Sequence, residues 1–173
     1  MNKKELLSRL VAIAAKEVGV KEQGGNNRGP RIVVYQQATW LKPDAWPWCA
    51  AFTAWVLREW LKDDEVLAAL HIDESDAFAW RCRDASAFGW VKWAQKQGLY
   101  ITDEKEPAKA GDIIVFDFSH IGIVEKDQVP GGLIQCIEGN TNGKGERDSV
   151  TGDGVWRKQR QPNTVRNLIR LLP

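Results

Sequence analysis

The hydrophobic period of this chain changes once, and that change restricts the fold more than any other feature. In the first hundred residues apolar side chains recur every three or four positions; beyond Gly111 they come in short runs rich in Ile and Val. Leu6, Leu7, Leu10, Val11 and Ile13 to Ala15 form one apolar stripe, with Lys3, Lys4, Glu5, Arg9, Lys16 and Glu17 elsewhere on the wheel, which predicts an amphipathic helix. Phe52, Trp55, Val56 and Trp60 repeat the spacing from Cys49 to Leu61, where Ala50, Ala51 and Ala54 leave room for close packing, so this segment is expected as the central buried helix. A short helix is expected over Arg31 to Gln37, and another over Ala85 to Gln97, capped by Asp84 and ended by Gly98. Residues 62–83 read as a short helix and a loop.

The later runs GDIIVFDF (111–118), HIGIVEKD (120–127), GLIQCIEGN (132–140), GVWRKQR (154–160) and NLIRLL (167–172) read as strands. Helices followed by consecutive short strands predict an α+β fold, with N-terminal helices packed on a C-terminal antiparallel β-sheet, and residues 1–173 forming a single domain.

Charge and cysteine usage exclude several classes. Lys plus Arg number 24 and Asp plus Glu 23, a net charge of +1, so no overall field calls for nucleic acid or an anionic membrane as partner. Arg9 interrupts the only N-terminal run that could pass for a signal peptide, and no apolar run approaches the roughly 18 residues of a membrane span. A protein made in the cytoplasm, without membrane insertion, is expected. Three cysteines (Cys49, Cys82, Cys136) and two histidines (His71, His120), irregularly spaced, suit neither a disulfide framework nor a metal site, so no metal and no cofactor is expected.

The chemistry concentrates around Cys49. A cysteine attacks an acyl carbon only as thiolate, and the unpaired amides and macrodipole of a helix start favour negative charge there. The base is sought between His71, in the segment AALHIDES, and His120, at the start of a strand beside the small residues Ser119 and Gly122. In IEGN, Glu138 and Asn140 are two residues apart and share a face of an extended strand. Folding the His120 strand back through DQVPGG brings His120 near Gly139, give or take one position. Either Glu138 or Asn140 then holds the imidazole by one nitrogen and aims the other at a nucleophile.

In this order and at these separations, WCAAF, GDIIVF, SHIGIVE and IEGNTN resemble the CHAP family of cysteine, histidine-dependent amidohydrolases and peptidases, from about Trp46 to Asn142. The resemblance implies a papain-like fold and cleavage of amide bonds in bacterial peptidoglycan, by an N-acetylmuramoyl-L-alanine amidase or a stem-peptide endopeptidase. It implies Cys49 as nucleophile, His120 as base and Glu138 or Asn140 as the orienting residue. Glu138 is favoured, because a carboxylate also stabilises the imidazolium. Trp48 stands where many members carry Gln, which leaves the Cys49 amide as the one oxyanion donor expected. GGNNRGPR is poor in acids where several relatives bind calcium, so no obligatory calcium is expected. Trp46 and Trp48, flanking Pro47, are expected to line a groove for glycan or stem peptide. A monomer without a separate wall-binding domain suits a phage or prophage endolysin, released when the inner membrane is breached. The alternatives are a secreted interbacterial toxin, a non-enzymatic papain-like module binding wall fragments or a protein, and a cytoplasmic amidase.

Overall fold

The computed structural model describes residues 2–143 and 152–172. Helix α1 (Lys3–Lys16) starts at Asn2, whose side chain accepts from the Lys4 amide at 3.0 Å, and buries the stripe Leu6, Leu10 and Ala14. Helix α2 (Pro30–Gln36) begins on a proline, whose missing amide hydrogen costs nothing in a first turn. Helix α3 (Cys49–Trp60) is the central helix: every residue from Cys49 to Leu57 is buried, and so is Trp60. An all-round buried helix needs neighbours on all sides. Here α1 and α2 cover one side, and strands of the sheet cover the other. Full burial of each Phe or Leu contributes about 1.5–3 kcal/mol, while the Trp60 indole nitrogen keeps a hydrogen bond to the Leu6 carbonyl at 2.8 Å.

Residues 62–83 form two short helices rather than one helix and a loop, α4 (Asp64–Leu70) and α5 (Glu74–Trp80), each preceded by an aspartate. Helix α6 (Gly89–Lys96) starts four residues later than expected. Asp84 accepts from the Ser86 amide at 2.8 Å and Ser86 Oγ accepts from the Gly89 amide at 3.1 Å, so local side-chain bonds hold 85–88 as a turn.

The strands are β1 (Tyr100–Thr102), β2 (Ile113–Phe116), β3 (His120–Val124), β4 (Ile134–Thr141), β5 (Gly154–Arg160) and β6 (Val165–Arg170), in one antiparallel sheet ordered β1-β6-β2-β3-β4-β5. The fold is the expected α+β, papain-like arrangement. The edge strand β1 has no counterpart in the sequence reading, being only three residues long. Alternation splits the strands between two cores. Ile113, Val115, Ile121, Ile123 and Ile137 face the helices, whereas Ile114, Phe116, Val124, Ile134 and Cys136 build a smaller core on the far face. On the helix side Gly139 lets β4 lie directly against α3: a β-carbon there would sit 2.6 Å from Phe52 Cβ and 2.9 Å from the Trp48 ring.

Candidate active site

Cys49 is the first residue of α3. The helix has no side-chain cap bond at Trp48 and no acid in its first turn, so neither a cap nor a first-turn carboxylate neutralises its amide end beside the sulfur. Cys49 is 6% exposed and opens into a cleft of about 440 Å³ lined by Trp40, Trp46, Pro47, residues 84–87 and Phe118. The other two thiols are different. Burial pushes Cys82 up to about 12 and Cys136 well above the ordinary thiol range, which keeps both protonated.

His120 opens β3 and is fully buried. Its Nε2 lies 2.7 Å from Glu138 Oε2. Its ring stacks with those of Phe116 and Phe118, at 5.9 and 5.8 Å between centroids, which places it on the sheet face away from α3. The other nitrogen, Nδ1, is buried and has no hydrogen-bond partner among the described residues. Cys49 is close enough to act on the ring through its charge, yet Nδ1 and Sγ are not in formed hydrogen-bond geometry. Catalytic pairs are often long at rest and tighten around substrate.

The ladder between β3 and β4 pairs Ile123 with Ile137 and Val124 with Cys136. Continued by three residues it sets Gly122 opposite Glu138 and His120 opposite Asn140. Glu138 therefore reaches His120 along a diagonal, and Gly122 clears the way. Behind Glu138 stands Arg160 of β5: its Nε donates to Oε1 at 2.8 Å and its Nη2 to Oε2 at 2.5 Å, while its guanidinium lies over Phe116 and Phe118. Burying these charges would be costly unless they were paired, and the chain Arg160–Glu138–His120 pairs them.

The pairing sets the protonation states. Burial lowers the His120 pKa, but the charges of Glu138 and Cys49 and the hydrogen bond to Glu138 more than reverse this, to about 9. For Glu138, burial works upward and is outweighed by the hydrogen bonds from Arg160 and the His120 charge, which hold it at about 2. Near neutral pH the site holds a carboxylate and an imidazolium.

Asn140, the other candidate for orienting His120, makes no hydrogen bond to the ring. Its backbone is left-handed (φ 52°), the β4–β5 register shifts between Glu138 and Thr141, and both polar atoms of its buried side chain lack partners among the described residues. The simple two-residue alternation from Glu138 fails at that bulge. Trp46 is half-buried and lines the cleft, its indole nitrogen bonded to the Lys42 carbonyl. Trp48 does not line it: this ring is fully buried, stacks on Tyr35 at 5.6 Å and donates to Glu22 at 2.8 Å. A core already rich in aromatics recruits it. His71 caps α4 from the surface and takes no part in the site.

Sequence reasoning missed Arg160 and Trp40. Arg160 reads as one more cation in GVWRKQR, although its alternation with Lys158 on an apolar strand hinted at burial. Trp40, 61% exposed, forms the outer wall of the cleft. Among the described residues no three or more His, Cys, Asp or Glu side chains gather as metal ligands, and no helix is long and apolar enough to cross a membrane.

The CHAP domain family model matches residues 41–140, a span that holds Cys49, His120, Glu138 and Asn140 and stops short of Arg160. No curated protein matches the chain.

Proposed function

The chain belongs to the CHAP domain family of peptidoglycan amidases and peptidases, and from that premise we propose that it cleaves an amide bond of the cell wall through a Cys49 thioester. The observation that carries the proposal is the tethering of His120: Glu138 holds Nε2 at 2.7 Å and leaves Nδ1 as the nitrogen open to Cys49. A carboxylate accepts from Nε2–H, so the ring is fixed in one orientation and its charged form is stabilised.

In the reaction the Cys49 thiolate attacks the amide carbonyl carbon, and the carbonyl oxygen takes up negative charge at the amide end of α3, where the Cys49 N–H is the expected donor. His120 gives its proton to the departing amine as the C–N bond breaks, leaving a thioester. The neutral imidazole then removes a proton from water, which attacks the thioester and releases Cys49 as thiolate. Trp46 and Trp40 offer apolar faces to the sugar or peptide on either side of the bond.

The bond is the one between muramic acid and L-alanine or one within the stem peptide. Incubating the purified protein with isolated sacculi decides between them: new amino groups should appear without new reducing sugar ends, and the exposed amine identifies the bond. Reducing ends alone, or undiminished release by Cys49→Ala, would overturn the reading. We place the enzyme in phage-type lysis, made in the cytoplasm and freed when the inner membrane is breached. Expression should then lyse cells with a co-expressed membrane-permeabilising protein and not without one; lysis of neighbouring cells by an intact producer would point to secretion as a toxin instead.

A further inference from the structure

The cleft does not end at Cys49. Trp40 and Asp84, both in its lining, also border a second pocket, of about 310 Å³, lined by residues of 79–84 and α6. Four cations line this pocket, Arg81, Arg83, Lys92 and Lys96, against the single acid Asp84. None of the four forms an ion pair among the described residues. Asp84 is spent locally, on the Ser86 amide and against Gly89.

Arg81 is the informative member. It is 7% exposed, yet its hydrogen bond goes to a neutral carbonyl, that of Ala38 at 2.5 Å, and its guanidinium rests beside the Phe78 ring. Burial and the charges of Arg58 and Arg83 drive its pKa down to about 10. A buried cation among like charges is costly without an anion. A carboxylate entering from the cleft would meet a guanidinium fork, a second arginine and two flexible ammonium groups, the donor set that favours bidentate binding.

We propose that this pocket binds a free carboxylate of the peptidoglycan stem peptide, so that the enzyme selects stems that carry the acid over stems in which it is amidated. The inference rests on the peptidoglycan reading of the cleft. A γ-linked D-glutamate in the stem displays a free α-carboxylate, and its conversion to D-isoglutamine removes the charge with almost no change of shape. The pocket adjoins the nucleophile's cleft, so an acidic peptide threaded past Cys49 reaches it without leaving the surface.

Two synthetic stem peptides, identical but for D-glutamate or D-isoglutamine, provide the probe. Their binding to Cys49→Ala is measured by calorimetry, and cleavage of matching muropeptides by the wild type is measured in parallel. The free acid should bind about tenfold or more tightly than the amide, the scale of one charge-assisted contact. Arg83→Gln with Lys92→Gln, both at positions that are not fully buried, should abolish that preference, raising KM for the acid and leaving kcat within about twofold; thermal melting confirms the fold. Equal affinity for the two peptides, or an undiminished preference in the double variant, overturns the pocket assignment while cleavage of sacculi still supports the peptidoglycan reading. Binding of the acid with the expected preference but no cleavage of wall by the wild type supports the pocket and overturns the catalytic reading.

Discussion

Glu138 and His120 meet across the place where Gly122 has no side chain: Oε2 and Nε2 are 2.7 Å apart, and a β-carbon on Gly122 would lie 2.6 Å from Glu138 Cγ and 3.0 Å from the Ile137 carbonyl oxygen. The His-x-Gly pattern thus has a steric cause. Gly122→Ala should displace Glu138 and lower kcat by at least about tenfold, the loss expected of a misplaced general base. Activity on sacculi together with near-native circular dichroism checks this; wild-type turnover would show that Glu138 can yield without cost.

Glu138→Gln should cost far more activity than Asn140→Ala. Glutamine keeps the volume but cannot stabilise the imidazolium, whereas Asn140 makes no hydrogen bond to His120. The reverse order of losses would make Asn140 the orienting residue.

Arg160 is expected to act on the chemistry through Glu138, as a positioning residue. Arg160→Leu leaves the Glu138 carboxylate with fewer donors and raises its pKa, so the acid limb of the kcat/KM profile should move to higher pH, with a stability cost of about 3–5 kcal/mol for breaking a buried pair. Arg160→Lys keeps the charge without the fork and should recover part of the limb. A uniform loss at every pH, with no movement of the limb, would reduce Arg160 to a packing role.

Cys49→Ala should fold and fail to lyse sacculi, while Cys82→Ala and Cys136→Ala retain most activity, because burial keeps both of those thiols protonated. His120→Ala should lower turnover by about two to four powers of ten; His71→Ala, at the surface end of α4, should change it by less than about tenfold. Comparable losses from the two histidine variants would place α4 in the site.

Stability should depend on pH on both sides. The folded His120 pKa is raised from 6.5 to about 9, so its contribution is complete below 6.5 and is lost as pH rises through about 9. The Glu138 pKa is lowered from 4.5 to about 2, so its contribution is complete above 4.5 and is lost as pH falls toward 2. Between 4.5 and 6.5 both contribute in full. Thermal melting across pH should show an alkaline fall that His120→Gln reduces; an unchanged fall in that variant would locate its origin elsewhere.

Sequence alone determined what local periodicity encodes. The stripe Leu6, Leu10, Ala14, the buried helix beginning at Cys49 and the Ile- and Val-rich strands are written in spacing, because burial on one face imposes a period on every element. The proposal of Cys49 rather than Cys82 or Cys136, and of His120 rather than His71, rests on the same local context. Tertiary structure decided what depends on distant partners. Trp48 belongs to the core because Tyr35 and Gly139 surround it, and no local rule distinguishes it from Trp46. Asn140 makes no hydrogen bond to His120 because a bulge and a left-handed backbone break the alternation that ties it to Glu138. Arg160, twenty-two residues beyond Glu138, becomes its partner only when β5 pairs with β4, since two opposite charges buried side by side in the low dielectric of the far-face core must pair.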